Sequence, residues 1–141
     1  MIRPFQEKDL DAAAELWLNV NLASHNFIPA DYFKDYYDAL KQQLLQAEVY
    51  VAEENRVITG FIGLHQNHIE GLFVLSTYQN KGIGTALIRQ CQEKYQTLSL
   101  YVYKKNQNAI AFYEKLGFHK EQSKIDAHTG QEEYSMVWNR S

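Results

Sequence analysis

YQNKGIGTALI, residues 78–88, sets two glycines one residue apart behind a glutamine and a lysine, then runs into alanine, leucine and isoleucine at helical spacing. A helix opens with four backbone N–H groups that lack an internal partner, and its aligned peptide dipoles leave about half a positive charge at that end. If residues 79–84 form a loop feeding such a helix, Gly82 and Gly84 let an anion approach the amides with no Cβ in the way, and Lys81 adds a cation. Hydrogen bonds to charged groups contribute roughly 1.5–3 kcal/mol each, so three or four of them hold a pyrophosphate. Two other phosphate loops do not fit. The P-loop needs its lysine after the glycines, and the dinucleotide fingerprint needs glycine or alanine where Leu87 stands. Taken alone, the two glycines suit a ligand-free strand-to-helix turn equally well.

Working outward, HIEGLFVL before the loop reads as a strand, and Ile83, Leu87, Ile88 and Cys91 share one face of a helix over residues 82–95. LSLYVY (98–103) is a further strand, and NAIAFYEKLGF (108–118) is a short helix closed by Gly117, with Asn108 placed to cap it. Toward the amino terminus, VYVAEE and VITGFIGLHQ flank the turn residues 54–56 and predict a hairpin. Leu10, Ala13, Ala14, Trp17 and Val20 predict a helix from about Lys8 to Leu22, with Asp9 or Asp11 in its first turn. Phe33, Tyr37, Leu40 and Leu44 predict a second helix starting just after Pro29. Ile2–Phe5 opens the chain as a short apolar run, and residues 118–125 and 132–138 predict two strands joined by the turn-forming DAHTG. The order β α α β β β α β α β β implies one α/β domain spanning residues 1–141, with a mixed sheet.

Bulk properties exclude several functions. With 141 residues, 45% of them hydrophobic, two prolines and no repeat or low-complexity tract, the chain is expected to form a single core. Fourteen basic and seventeen acidic residues give a net charge of −3, which draws the chain to neither nucleic acid nor an anionic membrane. MIRPFQEKDL lacks the apolar segment of a signal peptide and no run reaches the length of a membrane span, so a soluble, cytoplasmic protein is expected. Cys91 has no disulfide partner and reads as core. Histidines 25, 65, 68, 119 and 128 show no metal-ligand spacing, and no metal is predicted.

Gln79-Asn80-Lys81-Gly82-Ile83-Gly84, between a strand and an amphipathic helix, resembles the Q/R-x-x-G-x-G/A pyrophosphate loop of the GNAT superfamily of acyl-CoA-dependent N-acyltransferases. Asn106 followed by NAIAFYEKLGF resembles that family's later motif, an asparagine and then a helix carrying a tyrosine and ending in Gly-Phe. The element order fits from residue 1 to 138, and ASHNFI and HQNHIEGLFV look most like the bacterial YjaB-type group. The resemblance implies a mostly antiparallel sheet of about seven strands flanked by four helices, with the fourth and fifth strands splayed around the pantetheine arm of acetyl-CoA. It implies direct transfer of an acetyl group to a primary amine of a small molecule or peptide, by a monomer or a homodimer. A non-catalytic acyl-CoA sensor or regulatory partner is the alternative.

Carried onto this chain, Leu72, Phe73 and Val74 would meet the pantetheine, and Gln79, Asn80, Lys81, Gly82, Ile83, Gly84 and Thr85 the pyrophosphate, with Asn106 and Tyr113 also at the cofactor. Lys104 and Lys105 are candidates for the nucleotide 3′-phosphate. An amine attacks only when neutral, and a lysine-like ammonium of pKa about 10.4 leaves on the order of one molecule in a thousand neutral at pH 7, so a base or water chain takes the proton. The thioester oxygen gains charge in the tetrahedral state, and an amide near Val74 would stabilise it. The departing sulfur needs a donor, a role that falls to Tyr113 by resemblance. His68 and Glu70, two apart on the fourth strand, are candidate bases. Where some relatives carry a glutamate on the fifth strand, this chain has Tyr101. His25, Phe27, Tyr36 and Tyr101 are expected to line the acceptor pocket, His25 doubling as a further candidate base.

Overall fold

Helical spacing and alternation resolve into four helices and seven strands in the computed structural model, which describes residues 1–141. In chain order these are β1 (Ile2–Pro4), α1 (Leu10–Ser24), α2 (Ala30–Gln46), β2 (Glu48–Glu54), β3 (Val57–His65), β4 (His68–Val74), α3 (Ile83–Lys94), β5 (Thr97–Tyr103), α4 (Gln107–Lys115), β6 (His119–Ile125) and β7 (Glu132–Asn139). The predicted order is reproduced. Short 3-10 turns, Glu7–Asp9 and Ser76–Tyr78, precede α1 and the glycine loop. The first of them corrects the helix expected from Lys8. Buried Asp9 accepts a bond from the Gln6 N–H at 2.8 Å and grips Arg3 through two more, which holds the backbone in the tighter turn until Leu10.

The strands form one sheet in the order β1-β2-β3-β4-β5-β7-β6, antiparallel everywhere except between β4 and β5. In place of the single core expected there are two, one on each face of the sheet. Ile62, Leu64, Leu98, Leu100 and Met136 of the strands pack with Leu87 and Ile88 of α3 and with α4, and Val51 and Phe61 pack with Trp17 of α1 and Phe33 and Leu40 of α2. Burying two faces at once is why β3 reads as a nearly continuous apolar run rather than an alternation. Cys91 is wholly buried, and that burial pushes its thiol up to about 12, so it takes no part in chemistry at neutral pH.

One irregularity sets up the site. Opposite Gly63 and Leu64 the register of β4 jumps from Gly71 to Ile69, leaving Glu70 as an inserted residue. Its effect is visible in the packing. Ile69, Leu72 and Val74 all join the α3/α4 core, while Phe73 and Leu75 join the other, so the alternation changes phase between residues 69 and 72.

Candidate active site

β4 and β5 pair only at His68 with Ser99 and at Ile69 with Leu100. Beyond the bulge at Glu70 the two strands part, and the fork opens into a cleft of about 620 Å³. Gly71, Leu72 and Phe73 line it from β4, Tyr101, Val102 and Tyr103 from β5, and Tyr113 from α4. The Leu75 N–H bonds to the Thr59 carbonyl at 2.8 Å, so strand alternation turns the N–H groups of Leu72 and Val74 away from β3 and toward the gap. Gln79 folds back on this strand, its Nε2 donating to the Val74 carbonyl at 3.0 Å. The edge of β4 therefore presents main-chain groups that an extended chain can pair with.

The loop after β4 ends in an uncapped helix. Gly82, at φ +86°, is the N-cap of α3 and supplies no side chain, and the Ala86 N–H is the one that returns to the Gly82 carbonyl at 3.0 Å. The amides of Ile83, Gly84 and Thr85 thus precede the first intrahelical bond. A left-handed residue here turns successive N–H groups to one side, and space for 4 Å around the position a Gly82 Cβ would take leaves them open. Gln79, Asn80 and Lys81 are exposed beside them, Asn80 also left-handed at φ +63° and the Lys81 ammonium resting over the Tyr78 ring, while Ile83 is buried and anchors the turn. Gly84 has a second use. A Cβ there would sit 3.2 Å from the Phe112 ring, so its absence lets α4 close on α3 and brings Tyr113 toward the loop.

The Tyr113 hydroxyl has no hydrogen-bond partner within the protein, is not sealed from solvent, and has its pKa pushed well above the ordinary phenol value by burial. It is a protonated donor facing an open cleft. Asn106, rather than the predicted Asn108, caps α4, its Oδ1 accepting the Ala109 N–H at 3.3 Å. The shift of two residues follows from a second tie, the Asn106 Nδ2 donating to His25 Nε2 at 3.2 Å. The chain of bonds continues. His25 Nδ1 lies 2.8 Å from Asn21 Oδ1, and Asn21 Nδ2 donates to the Trp17 carbonyl at 2.9 Å. Since Asn21 and Asn106 both face His25 with fixed amide orientations, the imidazole carries its proton on Nδ1 and accepts at Nε2. Burial lowers its pKa. His25 thus cross-links α1 to α4 with both nitrogens engaged.

On the α1/α2 side the cleft is walled by Tyr32, Phe33 and Tyr36 from α2 and by Tyr103, whose ring meets those of His25 and Phe27 edge-on at 5.2 and 5.6 Å. Tyr101 lines it while half exposed. Glu70 lines it too, on the bulge. His68 does not. It lies below the fork, its Nδ1 2.8 Å from the Ser99 hydroxyl and its ring against Tyr101, its pKa lowered mainly by burial. Lys104 pairs with Glu132 at 2.9 Å, and Lys105 lies over the Phe27 ring. Two carboxylates that sequence reasoning missed complete this side, Asp126 and Glu133 from the β6–β7 hairpin. Their signal was slight, a turn-former in DAHTG and one of two adjacent glutamates at a strand start.

The model of the acetyltransferase (GNAT) family matches residues 10–118, over three quarters of the chain. The chain belongs to the GNAT acetyltransferase family. Peptidyl-lysine N-acetyltransferase YiaC of Escherichia coli K12 is 37% identical over 121 residues, 84% of this chain and 83% of that protein. The solution structure of apo YjaB from Escherichia coli superposes with a TM-score of 0.86 at 23% identity, covering 98% and 96% of the two chains. The PaiA N-acetyltransferase of Thermoplasma acidophilum, solved with coenzyme A, superposes at 0.80 and 19% identity over 99% and 98%. This GNAT protein is accordingly an acetyl-CoA-dependent N-acetyltransferase that modifies a primary amine. No helix of it is long and apolar enough to cross a membrane.

Proposed function

We propose that this GNAT enzyme acetylates the side-chain amine of lysine in peptides or proteins, by direct transfer within a ternary complex. The observation that carries the reading is the fork itself, a cleft with Tyr113 on one side and aromatic rings and carboxylates on the other, together with the open amides of α3 that follow β4 in the chain. The acceptor class is supported by YiaC, a peptidyl-lysine acetyltransferase 37% identical to this chain. Aromatic walls suit the aliphatic stem of lysine, and carboxylates suit its ammonium. In this reading the amides of Leu72 and Val74 bond the pantetheine arm, those of residues 82–85 bond the pyrophosphate with Lys81 alongside, and an amide at Leu72 or Val74 steadies the thioester oxygen as charge gathers on it. Tyr113 donates to the departing sulfur. His25, locked between Asn21 and Asn106, serves as a strut that sets the acceptor wall against α4 rather than as the base.

The test is release of free thiol from acetyl-CoA over a panel of primary amines, with lysine-containing peptides beside polyamines and amino sugars, and mass spectrometry to place the acetyl group. Acetylation of lysine side chains at the highest kcat/KM in the panel is expected. A small-molecule amine outrunning every peptide would overturn the acceptor assignment.

A further inference from the structure

Glu133 is the one carboxylate lining the cleft that is also more than nine-tenths buried, at 8% exposure. It sits on β7 opposite Tyr103 of β5 and Lys124 of β6, on the face that looks toward α1 and α2. Lys124 approaches only Oε1, at 3.4 Å, and leans away over the Tyr101 ring at 3.6 Å from its centroid. Oε2 has no hydrogen-bond partner in the protein and is not sealed from solvent. A carboxylate held this dry with an acceptor atom to spare is costly to maintain unless something binds it. Neighbouring Asp126 is engaged instead by the Tyr103 hydroxyl, the Thr129 hydroxyl and the His128 N–H, all at 3.0 Å.

We infer that Glu133 is the general base of the reaction, receiving the proton of the acceptor ammonium in the cleft. Burial, and after it the charge of Asp126, raises its pKa above the usual carboxylate value, while Lys124 opposes them. The remaining titratable groups facing this pocket are Glu70 across the fork, His25 from the end of α1, His128 from the β6–β7 hairpin, and the hydroxyls of Tyr32, Tyr36, Tyr101, Tyr103 and Tyr113. The step balances. An ammonium and a thioester give an amide, a thiol and one free proton. The first ammonium proton passes to Glu133 and on to solvent, the nitrogen lone pair forms the C–N bond, and the C–S bond breaks. The second nitrogen proton reaches the departing sulfur by way of the Tyr113 hydroxyl.

The inference uses the lysine acceptor proposed above only for its charge, and its test does not depend on the peptide. With the base ionised and the amine protonated, kcat/KM is flat between the pKa of Glu133 and that of the amine, and falls below the former. Glu133→Gln removes the acidic limb and forces free amine to be the reactant. The expected result is a loss of roughly 10²-fold at pH 7 together with a profile rising tenfold per pH unit from pH 6 to 9. Glu133→Asp, which keeps a carboxylate, retains the flat region at reduced rate. Coenzyme A affinity, measured by calorimetry, stays within about twofold in both and shows that the fold persists. A Glu133→Gln enzyme that keeps the flat profile overturns the inference, as does one whose only change is a raised KM. If lysine peptides prove inactive the profile is run on whichever amine turns over, so failure of the acceptor assignment and failure of the base assignment give different results.

Discussion

At the scale of single residues, the proposed chemistry turns on Tyr113. Its neighbours Phe112 and Phe118 meet its ring edge-on at 5.3 and 5.7 Å and fix the ring in the α3/α4 core while the hydroxyl stays unbonded. Burial raises its pKa above the ordinary phenol value, so the proton stays on oxygen through the neutral range and the group is available there as a donor. A donor that finds its partner only when the thiolate forms contributes to the transition state and not to the ground state. Tyr113→Phe removes that one oxygen and keeps the ring packing. The expected outcome is a fall in kcat of about 10²-fold with the dissociation constant of coenzyme A within about twofold of wild type, read from steady-state kinetics and titration calorimetry. Comparable losses in both would make Tyr113 a binding residue.

Among the elements, the junction of β4 with α3 is where the local geometry was most legible, because the role proposed for it resides in backbone. Left-handed Gly82, an uncapped N-terminus and an apolar face beginning at Ile83 are all written within residues 79–88. Replacing Gly82 with alanine asks an L-residue to hold φ +86°, at a cost of roughly 1–2 kcal/mol, although no atom stands in the way of the new methyl. Gly82→Ala is expected to weaken coenzyme A binding by about tenfold while lowering the melting temperature by a few degrees, since relaxing the strain turns the amides out of line. Unchanged affinity would show that these amides do not hold the cofactor. The other half of the site was poorly legible for a physical reason. The bulge at Glu70 is flanked by Gly71 and faces Gly63, but neither glycine tells which residue is inserted, and that choice decides that Glu70 lines the cleft while His68 lies below it. Glu133 enters the cleft only through the pairing of β7 with β5, a contact between residues thirty apart that no local pattern encodes. The family resemblance singled out Asn106 as a cofactor contact. Its actual partners, Ala109 and His25, required the loop after α1 to be placed beside α4.

Considered whole, the molecule is two half-sheets, β1–β4 and β5–β7–β6, whose direct strand contact is limited to two residue pairs below the fork. Elsewhere the halves are joined by packing of α3 and α4 across the sheet and by ties such as His25 to Asn106. The edge of β4 beyond Glu70 leaves main-chain donors that no strand pairs with. In the reading proposed above, acetyl-CoA fills that place, its pantetheine amides pairing as a strand would. Binding should therefore raise the stability of the whole fold rather than of one loop. At a coenzyme A concentration of 100 times its dissociation constant the gain is about 2.7 kcal/mol, which for a domain of this size raises the melting temperature by roughly 5–10 °C. Amide exchange distinguishes this stitching from a merely ordered loop. Protection should appear at Leu72 and Val74 on β4 as well as at residues 82–85, and should extend to β5 because both sides of the fork are held by one ligand. Protection confined to residues 82–85 would mean that the nucleotide docks on α3 while the two half-sheets still move independently.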